Sequence, residues 1–316
     1  MGWVCPMCST NNENSARICM VCGEEHPKSG AGFDIQSQIN HASSTLSDLL
    51  NAYKNVDLEK EYNLAYNMLR SNPSVGFEKM LACAKRGYPP AQNEIGDCYY
   101  YGIGISKDFS QAIIWFEKAA RNDFRQAQYN LGFCYYRGKG TYKNPAAAVF
   151  WYKKAAEAGH TGAQNELGDC YYFGTSIEKD FEKAFLWYQK AADQGDAIGE
   201  FNVGFCYLSG IGVLVNEEKA FEYFQKAAAQ GNLEAETAIG ECYYNGYGVK
   251  RDPKRAVEHY MIAANGGVAK AQYNLGICYE NGNGVWRNIK KALEWYGKAA
   301  EQGNEKARAA LTRLKS

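Results

Sequence analysis

Small and apolar residues recur along most of this chain at a fixed interval of 36 residues. Six units follow one another without insertion or deletion, starting at Ala91, Ala127, Ala163, Gly199, Ala235 and Ala271. In the second unit, apolar and small residues have helical spacing in two stretches, from Ala127 to Gly138 and from Ala148 to Gly159. Each unit is therefore predicted to form two amphipathic helices, called helix A and helix B below. Such a repeat predicts an all-α solenoid.

Equivalent positions of the units, here called columns, also encode the ends of helix B. A side chain that can accept hydrogen bonds from free backbone amides fills one column: Asp108, Asn144, Asp180, Asn216, Asp252 and Asn288. Pro145 and Pro253 follow as first-turn prolines. Glycine closes the helix at Gly159 and its equivalents, since it reaches a left-handed cap without strain, and Asp123 interrupts that column.

The small columns predict close packing between the helices. Glycine inside helix A, as at Gly132, costs about 1 kcal/mol relative to alanine, yet all six units keep it. Together with Cys134 and the alanines of helix B it should let the two helices approach closely, while Tyr135, Trp151 and Tyr152 fill the gaps between neighbouring units. One unit cannot bury this face alone, but a stack of units can.

The repeat resembles the Sel-1-like repeat, a relative of the tetratricopeptide repeat, from Ala91 to Lys306. The second unit carries the pattern at Ala127, Leu131, Gly132, Tyr135, Gly138, Gly140, Asn144, Ala148, Trp151, Tyr152, Lys154, Ala155, Ala156 and Gly159. The departures are Thr175 and Ser176 at the Gly-x-Gly step, and Tyr223 and His259 in the Trp column. The resemblance implies a right-handed alpha-alpha superhelical solenoid that serves protein-protein interaction, usually as an adaptor.

Composition favours a soluble protein of the cytoplasm. The formal net charge is zero, so no global field would recruit nucleic acid or an acidic membrane. The apolar runs are too short to span a bilayer, and no signal peptide is expected before Cys5. Six of the 11 cysteines form a repeat column and Cys83 lies on an earlier helix; all seven are expected to be reduced and buried.

The other four cysteines predict a metal site. Two Cys-x2-Cys pairs, separated by ten residues, supply Cys5, Cys8, Cys19 and Cys22 as ligands of one structural Zn2+. Accidental clustering or disulfide pairing is the alternative. The segment resembles the Ran-binding-protein-2-type zinc finger, including Trp3 and Asn12, and a simple zinc ribbon nearly as well.

That resemblance implies RNA or ubiquitin as possible ligands of the finger. Members that bind ubiquitin carry a Thr-aromatic pair where this chain has Ser9 and Thr10. Members that bind RNA use arginines, whereas Arg17 is the one nearby base here, and they normally space the first two cysteines by four residues instead of two. A purely structural or protein-binding finger is an equal alternative.

The predicted domain order follows from these segments. Residues 1–25 form the finger, and 26–56 a polar linker whose apolar residues have rough helical spacing. Residues 57–90 are a degenerate N-terminal capping repeat and 307–316 a C-terminal cap. Between them lie the six repeats 91–126, 127–162, 163–198, 199–234, 235–270 and 271–306.

The variable columns of helix A predict a partner-binding groove. Positions three and seven of the units lie one turn apart: Asn93 and Asp97, Tyr129 and Phe133, Asn165 and Asp169, Phe201 and Phe205, Thr237 and Glu241, Tyr273 and Ile277. Polar and apolar units alternate, which points to duplication of a 72-residue pair. In tetratricopeptide-like solenoids the corresponding face lines the concave groove, and exposed aromatic residues are typical of interfaces. We expect it to bind a peptide with apolar anchors two units apart and basic residues between them, unless the rings only pack between adjacent A helices.

Catalysis is not indicated. The four histidines, His26, His41, His160 and His259, are scattered and have no nucleophile or acid beside them in a recognisable motif. The glycines around Gly102 to Gly104 and their equivalents form turns between helices instead of a phosphate loop. The sequence therefore predicts a non-enzymatic interaction scaffold for a protein or peptide, with neither a membrane nor a small-molecule substrate as partner. The alternative is a finger-directed RNA or ubiquitin reader that uses the repeats as a platform.

Overall fold

The computed structural model describes residues 3–4, 11–12 and 57–315 of the chain. The chain divides into two units, Met1–Glu59 and Lys60–Ser316. In the first unit, strands β1 (Trp3–Val4) and β2 (Asn11–Asn12) form an antiparallel pair, with Trp3 opposite Asn12 and Val4 opposite Asn11. The predicted linker, residues 26–56, lies outside the described residues.

The second unit is an α-α solenoid, as predicted, and its first helix begins three residues before the division between the units. Its helices are α1 (57–71), α2 (Pro73–Lys85), α3 (Pro89–Tyr101), α4 (Phe109–Arg121), α5 (Arg125–Arg137), α6 (Pro145–Glu157), α7 (Thr161–Phe173), α8 (Phe181–Asp193), α9 (Ala197–Ser209), α10 (Glu217–Ala229), α11 (Leu233–Asn245), α12 (Pro253–Asn265), α13 (Ala269–Asn281), α14 (Ile289–Glu301) and α15 (Glu305–Lys315). Helix A of the six repeats is α3, α5, α7, α9, α11 and α13, and helix B is the helix that follows each of them. From α2 to α15, every helix packs against the next one in the chain.

The caps predicted for helix B are present. Asn144 Oδ1 accepts a hydrogen bond from the Ala147 amide at 3.1 Å, and Asp108 Oδ1 accepts from the Ser110 and Gln111 amides at 2.9 and 3.0 Å. Gly159, just after α6, has φ 82°, and Asp123 adopts the same left-handed conformation with φ 54°. The glycine column therefore marks a backbone conformation that the repeat imposes on whatever residue stands there.

The glycine inside helix A makes room for a ring of helix B. A Cβ atom on Gly132 would lie 2.7 Å from Cδ1 of Tyr152, which is fully buried. The other five glycines of this column face the equivalent ring of their own units. Close helix approach is thus confirmed, and Tyr152 packs inside its own unit as well as on the next one.

The turn between helices A and B touches the preceding repeat. A Cβ atom on Gly140 would lie 2.2 Å from the carbonyl oxygen of Phe109, at the start of α4. In the third repeat Ser176 takes this place with φ 57°, while Gly174 keeps the first glycine of the step. The turn therefore keeps its left-handed conformation even without glycine.

Neighbouring repeats share one core, and a buried glutamine links them. Phe116 of α4 packs in the same cluster as Leu131 and Cys134 of α5. Gln128 Nε2 donates to the Ala120 carbonyl at 3.2 Å, which satisfies a carbonyl in the last turn of the preceding helix B. The same bond recurs from Gln92 to Ala84, from Gln164 to Ala156 and from Gln272 to Ala264. Among the described residues, no helix is both long and apolar enough to cross a membrane.

Candidate functional site

Position three of helix A is turned toward helix B. Its aromatic residues pack against the large ring of helix B in the same repeat in a tilted arrangement, with centroid distances of 5.9, 5.8 and 5.7 Å. The pairs are Tyr129 with Tyr152, Phe201 with Phe224, and Tyr273 with Tyr296. These three rings therefore pack within their own repeats and are partly buried.

The polar residues predicted at position three are buried, so they do not present a face to a partner. Asn93, Asn165 and Thr237 are 3%, 6% and 1% exposed. Asn93 Nδ2 donates to Asp97 Oδ2 at 2.9 Å, Asn165 Nδ2 donates to Asp196 Oδ1 at 2.7 Å, and Thr237 Oγ1 donates to the Leu233 carbonyl at 3.0 Å. These bonds replace water, which explains why short polar side chains lie there.

Position seven of helix A faces three cavities that are equivalent under a shift of 72 residues. Pocket I is lined by Asp97, Tyr100, Tyr101, Phe116, Asn130 and Phe133. Pocket II is lined by Asp169, Tyr172, Phe173, Tyr188, Asn202 and Phe205, with Phe201 and Lys270. Pocket III is lined by Glu241, Tyr244, Asn245, Tyr260, Asn274 and Ile277. Each pocket thus combines the carboxylate of one repeat with position seven of the next, so it joins a polar repeat to the apolar repeat that follows it in the sequence.

Pocket II is the largest of the three, at about 350 Å³, against about 220 Å³ for pocket III and about 30 Å³ for pocket I. Its walls come from α7, α8 and α9, and also from Lys270 on α13, two repeats further on. Helices α7 and α9 contact each other directly. The A helices therefore turn toward a common concave side, where pocket II is large enough for a side chain.

The pocket carboxylates lie in a partly dry environment. Burial, followed by the charge of Glu94, raises the pKa of Asp97 to about 7. Burial also raises the pKa of Asp169, which accepts a hydrogen bond from the Tyr188 hydroxyl at 2.6 Å. Glu241 instead forms an ion pair with Lys270 at 2.8 Å. The three acids are thus held by different partners.

Sequence reasoning identified position seven but missed most of the residues that line each pocket. The tyrosines at Tyr100, Tyr172 and Tyr244 and the asparagines at Asn130, Asn202 and Asn274 recur every 72 residues. That recurrence was the available signal. It could not say that the asparagine of one repeat meets the carboxylate of the repeat before it.

The described histidines have structural partners. His160 Nδ1 accepts from the Ala163 amide at 3.1 Å and so caps α7, and burial lowers its pKa. His259 Nδ1 lies 2.7 Å from Glu236 Oε2, and its ring stacks on Tyr243. His26 and His41 lie outside the described residues.

The predicted zinc ligands, Cys5, Cys8, Cys19 and Cys22, also lie outside the described residues. The strands flanking the first Cys-x2-Cys pair are described, and their pairing sets Trp3 opposite Asn12. The seven described cysteines are free and buried, and burial raises the pKa of the six repeat thiols to about 12.

Comparison with known proteins agrees with this architecture. The profile of the Sel1 repeat matches residues 89–124, 125–160, 161–196, 197–232, 233–268 and 269–304, so each match begins with the first residue of a helix A. A protective antigen of uropathogenic Escherichia coli with an SLR fold is 32% identical with a TM-score of 0.71, over 85% of this chain and 59% of the antigen. The chain thus spans about three fifths of that protein. A Sel1 repeat protein from Oxalobacter formigenes is 31% identical with a TM-score of 0.71, over 76% of this chain and 96% of that protein. No curated protein matches the chain.

Proposed function

Because this chain belongs to the Sel1 repeat family, we propose that it is a non-enzymatic scaffold that binds a partner polypeptide along the concave side of its A helices. The observation that carries the proposal is the threefold recurrence of one pocket along that side. Each pocket offers apolar walls beside a carboxylate. Such walls suit apolar anchors of a polypeptide and its basic side chains, at intervals of two repeats.

The exposed ring in pocket II supports an accessible surface. Phe205 is 41% exposed, although an apolar side chain of that size is normally buried. In pocket I, the equivalent Phe133 is partly buried, and the guanidinium carbon of Arg137 lies 5.6 Å from its ring centroid. A partner that covers Phe205 would remove this apolar surface from water.

We further propose that Cys5, Cys8, Cys19 and Cys22 hold one structural zinc ion, which would supply folding energy to a short segment. The paired strands around the first two cysteines support this assignment. The free thiols of the solenoid support a reducing, cytoplasmic location. RNA or ubiquitin binding through the finger is the competing function.

One co-purification experiment tests these proposals. The full chain is compared with a Phe133→Ser, Phe205→Ser double variant, a Phe150→Ser control and a Cys19→Ser, Cys22→Ser variant. Phe150 is a suitable control because its ring is 54% exposed on α6, away from the three pockets. We expect the double variant to lose its partners with a melting temperature within about 2 °C of the parent, since Phe205 is exposed and Phe133 is only partly buried.

The other variants separate the alternatives. The Phe150→Ser control should keep the partners. The cysteine variant should lose bound zinc, measured by elemental analysis, and still keep them. Loss of the partners in the cysteine variant alone would assign recruitment to the finger. A drop in melting temperature of several degrees in the double variant would assign both rings to packing.

A further inference from the structure

Pocket II differs from its two equivalents in its hydrogen bonds. In pocket I, Asn130 Nδ2 lies 3.4 Å from Asp97 Oδ1, and in pocket III, Asn274 Nδ2 lies 3.3 Å from Glu241 Oε1. Asn202, the equivalent residue of pocket II, makes no such bond to Asp169 within residues 57–315. Asp169 can therefore accept a hydrogen bond from a further donor at the place where Asp97 and Glu241 accept one from an asparagine side chain of the protein itself.

A second acceptor is unsatisfied beside it. Asn165 lies one turn before Asp169 on α7 and is 6% exposed. Its Oδ1 atom has no hydrogen-bond donor among the described residues. In the first repeat, the equivalent Oδ1 of Asn93 accepts from Asn130 at 3.0 Å. An unpaired buried carbonyl oxygen costs about 1–3 kcal/mol, so the hydrogen-bond network that Asn130 completes in the first repeat is incomplete in the third.

The chain also places a cation over the position-seven ring of pocket I, and none over the equivalent ring of pocket II among the described residues. Arg137, near the end of α5, holds its guanidinium over the Phe133 ring, as described above. Ser209 takes the place of Arg137 on α9, and no cation lies over Phe205 in the described part of the chain. The neighbouring Lys270 is engaged with Glu241. Asp169 accordingly has no ion-pair partner in the solenoid as described.

We propose that pocket II binds the side chain of an arginine from the partner polypeptide, with its guanidinium donating to Asp169 and stacking on Phe205. This inference rests on the proposed function and specifies its central contact. Arginine fits better than lysine because its planar group offers five donors and a flat face for the ring. Phe173, which is 69% exposed, supplies further apolar wall for the side-chain stem.

The test uses three short peptides and the full-length protein. Ac-Leu-Arg-Leu-NH2 is compared by calorimetric titration at low salt with its citrulline and lysine counterparts. Citrulline keeps the shape of arginine and removes its charge. We expect the arginine peptide to bind the parent about tenfold more tightly than the citrulline peptide, because charge-assisted hydrogen bonds are the strong ones. Asp169→Asn should reduce this ratio to about two or less, because it removes the negative charge. The variant should still fold, since the amide oxygen can accept the hydrogen bond from Tyr188. Glu157→Gln, which changes an exposed carboxylate of α6 that lines none of the three pockets, should leave the ratio unchanged.

Each outcome decides the assignment. Equal binding of the arginine and citrulline peptides to the parent, or no binding of the arginine peptide, overturns it. If Phe205→Ser abolishes binding while Asp169→Asn keeps the arginine preference, polypeptide binding on the concave side stands and the arginine contact is wrong. If neither substitution changes peptide binding, both proposals fail for this surface. Should Asp169→Asn not fold, Phe205→Leu replaces it, because loss of the ring face should lower the arginine preference about threefold.

Discussion

Two residues of the repeats adopt a backbone conformation that their side chains disfavour. Asp123 and Ser176 have positive φ in columns where most other repeats carry glycine. A left-handed conformation costs a non-glycine residue roughly 1–2 kcal/mol, so the surrounding contacts of the repeat must compensate. The turn conformation could be predicted from glycine in the other repeats, and its survival at Ser176 could not.

Replacing Ser176 with glycine should stabilise the protein. We expect Ser176→Gly to raise the free energy of unfolding by about 0.5–1 kcal/mol, because relief of the left-handed strain exceeds the extra entropy of glycine in the unfolded chain. Ser106→Gly is the matched control, since Ser106 lies in the equivalent turn of the first repeat without a positive φ. The control should lose a few tenths of a kcal/mol in the same urea titration. A loss at both positions would mean that Ser176 is not strained.

At the scale of the helix pair, the sequence predicted those features that residues of a single repeat determine. The caps of helix B and the tight approach at Gly132 depend on residues of a single 36-residue unit. The pockets depend on two units at once, because Asn130 reaches Asp97 across the boundary between repeats. Helical spacing puts positions three and seven on one face, but it does not say how closely helix B lies under position three. For that reason the burial of Asn93 and Thr237 was not predictable.

Substitution of two glycines by alanine distinguishes the effect of close helix packing on stability from the effect of helix propensity. Gly132→Ala should lower the free energy of unfolding by about 1–3 kcal/mol, because its Cβ would meet the buried Tyr152 ring. Gly297→Ala on α14 should raise it by up to about 1 kcal/mol, since no heavy atom lies within 4 Å of the added Cβ. Thermal unfolding followed by circular dichroism measures both. Equal effects of the two substitutions would contradict the packing role of the helix A glycine.

At the scale of the whole molecule, the fold repeats every 36 residues and the pocket every 72. Because repeats contact only their neighbours for most of their core, the stability of a solenoid depends on which repeats adjoin. Removing residues 163–234 joins a repeat with aromatic residues at positions three and seven to a repeat with polar residues there, as in the parent. Removing residues 163–198 joins two repeats that both carry aromatic residues at positions three and seven.

The longer deletion should therefore be the milder one. We expect the chain without 163–234 to keep its helical signal per residue and a single unfolding transition, and to lose the arginine preference of pocket II. The chain without 163–198 should melt at least about 5 °C lower than the longer deletion, because its new junction brings unmatched side chains together. Circular dichroism of both variants measures the difference. A higher melting temperature for the single-repeat deletion would rule out a two-repeat unit.

The buried thiols can report the local opening of individual repeats. Each repeat carries one cysteine that is nearly inaccessible and kept protonated by its surroundings, so alkylating reagents reach it only while that repeat is open. Brief exposure to iodoacetamide, followed by peptide mapping, would then measure how fast the cysteine of each repeat reacts. No introduced label is needed. Because solenoid ends have one neighbour fewer, Cys83 and Cys278 should react before Cys170 and Cys206.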